Sequence, residues 1–175
     1  MAEAWSNWAG NVECRPARIA EPRDLEELKT LVARADAVRV AGSGHSFTPL
    51  VATDGLLLSL PGFAGILRID RVGLQAEIGA GARIADLGAE LQAAGLALAN
   101  QGDVDVQRIA GAISTGTHGT GCTLGSLSTA VAALKLVTAG GELVEIAGGE
   151  VKAAALSLGT LGVIVSVTLD LVPAY

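Results

Sequence analysis

The sequence predicts an α+β fold, and three observations carry that prediction. Hairpins of apolar strands outnumber strand–helix–strand units, which disfavours a doubly wound parallel sheet. Half of the 175 residues are apolar, enough for a packed core, because a chain near this length buries roughly 68–70% of its unfolded surface. The 23 glycines are scattered without a three-residue period, so they serve turns and close backbone contacts rather than a fibrous repeat. With only two Trp, two Phe and one Tyr, the core rests on Ala, Val, Leu and Ile.

The elements follow in order. Pro22 to Glu27 opens a helix, with Asp24 as its cap and Glu27 closing a capping box; Leu25, Leu28 and Val32 share one face. Val38 to Ala41 reads as a strand that leads into a glycine segment, Ala41-Gly42-Ser43-Gly44-His45-Ser46-Phe47. Gly55 to Leu60 is a short buried strand. Ile66 to Asp70 and Leu74 to Ile78 form a hairpin around Arg71-Val72-Gly73. Ile84, Leu87 and Leu91 mark an amphipathic helix that ends near Gly95. A second glycine segment runs from Gly111 to Gly121. Beyond it, Val131 to Thr138 and Glu142 to Ala147 pair across Gly140-Gly141. Val151 to Leu158 is a short helix, and Val163 to Val172 is a β-branched strand. A boundary near Pro61-Gly62 divides the chain into lobes of about 1–61 and 62–175.

A net charge of −6 argues against a nucleic-acid partner, which needs a basic surface to displace counterions. Cys14 and Cys122 are too few and too far apart for a disulfide scaffold or a zinc site, and a reducing, cytoplasmic setting is the simpler expectation. The N-terminus lacks the pattern of a signal peptide. No apolar run approaches the ~20 residues of a membrane span.

Both histidines lie in the glycine segments: His45 in the first and His118 in the second. Glycine lets backbone amides approach a phosphate closely, although it equally serves any tight turn. The first segment lacks the third glycine of G-x-G-x-x-G, and Thr48-Pro49 stands where a helix should run. The Walker pattern fails too, because no Gly-Lys-Ser/Thr occurs. His45 could be a nucleophile, a base or a cofactor attachment point. The histidines lack the spacing of a metal-ligand pair. Cys122 reads as a small buried residue. Arg39, Arg68 and Arg83 read as solvated or paired surface charges.

Six segments then match a known family in order: Asn7-Trp8-Ala9-Gly10-Asn11, Gly42 to Phe47, Gly79-Ala80-Gly81-Ala82-Arg83, Gly102 to Gln107, Ile109 to Gly121, and Ser157 to Ile164. On these residues the chain resembles the FAD-binding domain of the vanillyl-alcohol oxidase and p-cresol methylhydroxylase superfamily, and most of all its sugar-lactone and alditol oxidases. The resemblance covers nearly the whole chain. It implies a two-lobed α+β domain, mostly antiparallel sheets with flanking helices, holding FAD between the lobes.

The resemblance assigns the pyrophosphate to Val40, Ala41, Gly42, Ser43, Gly44, His45 and Ser46, with His45 as the covalent attachment to the flavin's 8α carbon. Gly111, Ala112, Ser114, Gly116, Thr117, Gly119, Thr120 and Gly121 would line the second side, followed by Gly125, Ser126 and Leu127. Val163 or Ile164 would meet the adenine end through the backbone, and His118 would be a structural member of its loop. A neutral imidazole suits the attachment, because its ordinary pKa of ~6.5 leaves it nucleophilic near neutrality.

In the family a substrate domain follows such a segment and supplies the catalytic base, so no base is nameable here. The expectation is therefore the FAD-holding half of an oxidoreductase acting on CH–OH groups of sugar-derived alcohols or aldonolactones, completed by a substrate domain or a partner subunit. A stand-alone flavin-binding module, or a nucleotide binder with convergent loops, are the other readings.

Overall fold

The computed structural model describes residues 4–175. Strands β1 (Trp5–Ser6) and β2 (Glu13–Cys14) make a small antiparallel ribbon. Strand β3 (Arg18–Ala20), helix α1 (Leu25–Ala33) and strands β4 (Val38–Val40) and β5 (Leu56–Leu58) follow. These three strands form a parallel sheet in the order β3-β5-β4. The central β5 is Leu-Leu-Leu and buried throughout, as expected for a parallel strand covered on both faces. This sheet qualifies the hairpin-based expectation: β3 carries only Arg-Ile-Ala, too short for a periodic signal.

The larger sheet is entirely antiparallel. It takes β6 (Ile66–Asp70), β7 (Gln75–Gly79), β9 (Val131–Val137), β10 (Leu143–Ala147) and β11 (Val163–Asp170) in the order β10-β9-β11-β7-β6. Between β7 and β9 lie α2 (Ile84–Ala93), β8 (Leu96–Ala97) and α3 (Ile109–Ser114). Helix α4 (Val151–Ala155) precedes β11, and β12 (Val172–Pro173) pairs with β8. The architecture is thus α+β with mostly antiparallel sheets.

Two apolar clusters hold these layers. One joins the inner face of the large sheet, including Ile78, Leu134, Leu136, Val167 and Leu169, to Leu87 and Leu91 of α2, Ile113 of α3 and Ala155 of α4. The other joins Leu28 and Val32 of α1 and Leu56 and Leu58 of β5 to Val137, Val163 and Val165. A register shift between Ile164 and Ser166 lets β11 serve both clusters: Ile164 packs in the first, and Val163 and Val165 pack in the second. At roughly 25 cal/mol per Å² of apolar area, each buried Leu or Ile contributes about 1.5–3 kcal/mol.

Several predicted boundaries move. Asp24 caps α1 by accepting from the Glu27 N–H at 2.9 Å, but the Glu27 carboxylate returns to the Arg23 N–H at 2.9 Å, one residue earlier than a capping box requires. The buried strand at 55–60 shortens to Leu56–Leu58. Leu74 belongs to the turn, at φ +52°, so β7 begins at Gln75. Helix α4 ends at Ala155 rather than Leu158, because Leu158 (φ +54°) and Gly159 (φ +77°) turn left-handed. The predicted strand 163–172 divides: β11 stops at Asp170, the Leu171 N–H still bonds Leu74 O at 2.7 Å, and Val172 begins β12, which leaves β7 to pair with β8.

Candidate functional site

A cleft of about 300 Å³ opens beside the end of β4. Val38 to Gly42 and Ser46 form one wall, and Leu158 to Ile164 form another. Ala80, Gly81, Arg108, Gly111, Ser114 and Thr115 close it from the α3 side. Strand β4 positions the first glycine segment: the Ala41 N–H still bonds Leu58 O at 2.8 Å, and the sheet ladder ends there.

Past that point the backbone changes character. The N–H groups of Gly42, Ser43, Gly44, His45 and Ser46 meet no acceptor among the described residues. Two of their carbonyls, and that of Phe47 after them, are held from behind. Trp8 N–H donates to Gly44 O at 2.9 Å, Asn7 Nδ2 to Ser46 O at 2.9 Å, and Asn11 Nδ2 to Phe47 O at 3.0 Å. Ser43 Oγ donates to Val106 O at 2.5 Å. Gly44 sits at φ +69°, with an added Cβ only 3.3 Å from the Trp8 nitrogen, so the left-handed turn and the close approach both favour glycine here. The His45 ring stacks on Trp8, with centroids 4.9 Å apart and planes 20° apart.

The second glycine segment divides. Its first half is not a loop: it forms α3, which buries Ala112 and Ile113 in the core. Gly111 and Ser114 line the cleft beside Thr115. The remainder folds back elsewhere. Thr117 is fixed by Thr117 N–H to Ala112 O at 2.9 Å, and its own carbonyl accepts from Leu127 N–H at 2.9 Å. At Gly119 an added Cβ would run into Gln101 O and Asn100 Oδ1. His118 Nδ1 lies 2.9 Å from Gly119 O, so it donates within its own loop, as expected for a structural residue.

The predicted site residues therefore separate into groups. Val40, Ala41, Gly42, Ser46, Gly111, Ser114, Val163 and Ile164 line the cleft together. Ser43, Gly44 and His45 continue the first segment just beyond the lining, and Ala112 and Leu127 are buried behind it. Gly116, Thr117, Gly119, Thr120, Gly121, Gly125 and Ser126 lie off its walls. Cys122 is exposed rather than buried, because it falls in the turn after Gly121 instead of on a packed face.

Sequence reasoning missed Arg39 and Arg108 as cleft residues. Arg39 is exposed yet stands on the wall, whereas Arg83 is the surface ion pair expected, 3.0 Å from Asp86. Arg108 packs under Gly42 and donates to Gly81 O. No spacing signal marks Arg108; Gly81 and Gly162 fell in matched segments but were given no role. Cations also gather elsewhere: Lys135 Nζ, 2.7 Å from Glu77 Oε1, with Ser166 Oγ at 2.8 Å, holds the Glu77 carboxyl below the usual range on the large sheet, remote from the cleft.

Among the described residues no cluster of three His, Cys, Asp or Glu could hold a metal ion, and no helix is long and apolar enough to cross a membrane. The cleft suits an anionic, partly planar ligand. Five unpaired amides, those of Gly42 and Ser46 on its wall and of Ser43, Gly44 and His45 just beyond, can receive phosphate oxygens. Arg39 and Arg108 outnumber Asp36 on its walls, and Val38, Leu50, Val51 and Leu161 offer apolar surface to a ring system.

Fold and cleft together define a domain built to hold a phosphate-bearing dinucleotide. Residues 16–147 match the family described as FAD binding domain, and the chain belongs to that family, within the vanillyl-alcohol oxidase and p-cresol methylhydroxylase group; its cofactor is FAD. It is 43% identical over its full length to an L-gulono-1,4-lactone dehydrogenase of Mycobacterium tuberculosis and 40% identical to an alditol oxidase of a Streptomyces species. It spans 42% and 43% of those two proteins. Among solved structures, cholesterol oxidase from Brevibacterium sterolicum superposes with a TM-score of 0.85 at 25% identity, covering 99% of this chain and 37% of the other.

Proposed function

We propose that this chain holds FAD, covalently through His45, for an oxidoreductase acting on CH–OH groups of sugar-derived alcohols or aldonolactones. The observation that carries the reading is the run of five unpaired amides at Gly42 to Ser46, which contains His45 just beyond the cleft lining. The lactone and alditol relatives support the substrate class.

In this reading the parallel sheet with α1 is one lobe and the antiparallel sheet is the other, with the cofactor between them. FAD would supply the hydride and electron chemistry, leaving binding, orientation and electrostatics to the protein. The amides of Gly42 to Ser46 bind the pyrophosphate, with Arg39 and Arg108 balancing its charge. Gly111 and Ser114 bear on the second side, and Val163 and Ile164 on the adenine end. Asp36 is the only carboxylate among the described lining residues, and it is exposed. The general base for an alcohol proton would then come from a substrate domain of the kind the longer relatives have room for, or from a partner subunit.

The test is acid precipitation of purified, flavin-loaded protein. Yellow colour should stay in the pellet, intact mass should rise by one FAD, and His45→Ala should move the colour to the supernatant. Colour in the supernatant from the unsubstituted protein refutes the tether. Bleaching of the flavin absorbance by an aldonolactone or alditol supports the substrate class, whereas no bleaching by either favours a flavin-binding module.

A further inference from the structure

The segment Asn7 to Asn11 has no role in the reading above, yet it makes the hydrogen bonds that hold the carbonyls of the first glycine segment from Gly44 to Phe47. Asn7 is a buried polar side chain at 5% exposure, and it links its own segment to the glycine loop. Its Oδ1 accepts from Val12 N–H at 3.1 Å, and its Nδ2 donates to Asn11 Oδ1 at 2.7 Å and to Ser46 O at 2.9 Å. Asn11 Nδ2 reaches Phe47 O, and the Trp8 N–H reaches Gly44 O. The segment thus takes three carbonyls of the loop and none of its amides.

In a trans peptide the C=O and N–H point in opposite directions. Fixing Gly44 O toward Trp8 therefore aims the His45 N–H away from that segment, and fixing Ser46 O does the same for the Phe47 N–H. The clamp thereby turns the His45 and Phe47 N–H groups to the side opposite it. On the same side as the clamp, the Trp8 ring lies over the His45 imidazole at stacking distance. Trp8 is 68% exposed, far more than a side chain kept for core packing.

The geometry points to Asn7, Trp8 and Asn11 as positioning residues for the cofactor. The Trp8 amide turns the His45 N–H toward the pyrophosphate, the two asparagines fix the adjoining Ser46–Phe47 and Phe47–Thr48 peptides and so order the end of the loop, and the Trp8 ring holds the His45 imidazole in one orientation for attachment. The second half of this inference rests on His45 being the tether. The first half does not.

Trp8→Ala removes the ring and keeps the Trp8 N–H bond to Gly44 O. Added FAD should then become acid-stable more slowly, on the order of tenfold, because the loss of one stacked aromatic contact and of orientation is of that size. Trp8→Phe should restore most of the rate. In proton–carbon spectra of the cofactor-free protein, His45 ring signals should move downfield on loss of the indole ring current. His118, the second of the two histidines, is an internal reference and should stay in place.

Asn11→Ala, at an exposed position, should weaken reversible FAD binding on the order of tenfold in a His45→Ala background, as loss of hydrogen bonds that order a binding loop would. An unchanged attachment rate with unmoved His45 signals overturns the role of Trp8. Unchanged FAD affinity in Asn11→Ala overturns the role of the asparagines. If the unsubstituted protein forms no acid-stable flavin, the tether itself fails; the clamp is then judged by FAD affinity and by the His45 signals alone.

Discussion

Gly162 stands where the cleft wall enters β11, and replacing it with alanine gives a sharp test of how that wall is built. Its φ is +149°, a conformation that L side chains rarely adopt. A Cβ there would run into Val137 O and lie 2.8 Å from Leu136 Cδ1, both on neighbouring β9. Two costs add. Holding a non-glycine residue in such backbone costs about 1–3 kcal/mol, and forcing an extra carbon into packed surroundings costs about 1–3 kcal/mol more. Gly162→Ala should therefore lose about 2–6 kcal/mol, a large part of the ~5–15 kcal/mol typical of a domain. Gly159→Ala is the control: it has φ +77° but no atom within 4 Å of the added Cβ, so only a backbone cost of about 1–2 kcal/mol applies. Urea unfolding followed by circular dichroism, analysed by linear extrapolation, measures both variants. A Gly162→Ala loss within ~0.5 kcal/mol of zero, or no greater than that of Gly159→Ala, would refute the reasoning.

Two further predictions concern stability away from the cleft. Lys135→Met leaves the Glu77 carboxylate with Ser166 as its hydrogen-bond partner and the charge of Arg68 nearby, and should cost about 1 kcal/mol near neutral pH, discounted because Lys135 is 36% exposed. Glu77 is held below its ordinary value of 4.5, so its contribution is present above that value and is lost as pH falls through the lower folded value. The gap between Lys135→Met and the unsubstituted protein should accordingly narrow in acid, and a gap that stays constant from pH 7 to pH 3 counts against the pairing. Asp24→Ala removes the cap on the Glu27 N–H and should lower urea stability by about 1 kcal/mol; no change would mean that Glu27 and Arg23 hold the first turn without it.

Much of the fold was legible because its elements obey local rules. The Leu28 and Val32 face of α1, the Ile84-Leu87-Leu91 face of α2 and the hairpin across Gly140-Gly141 all declare themselves by spacing. What stayed hidden depends on partners distant in sequence. Strand β3 is three residues long and is made a strand by pairing with β5, nearly forty residues later. Helix α3 lay inside a glycine-rich stretch whose composition suggested a loop, and burial of Ile109, Ala112 and Ile113 overrides that preference. In the cleft, glycines marked the walls, but the guanidinium of Arg108 could not be placed, because an isolated arginine carries no periodicity. The way the loop is held was equally hidden, since Asn7, Trp8 and Asn11 grip its carbonyls from more than thirty residues away.

The position of β11 has a consequence for how the protein is made. In the large sheet β7 and β9 touch only through β11, which is synthesised after both hairpins. A ribosome therefore releases β6-β7 and β9-β10 as two separate ribbons, each with an open inner edge. Unpaired strand edges of this kind invite pairing with other chains, and closing contacts over so long a loop is slow. The vulnerable interval ends only when residues 163–170 clear the exit tunnel and slide between the two ribbons. A nascent chain arrested just before Val163 should be a substrate for chaperones, and one arrested well past Asp170 should not.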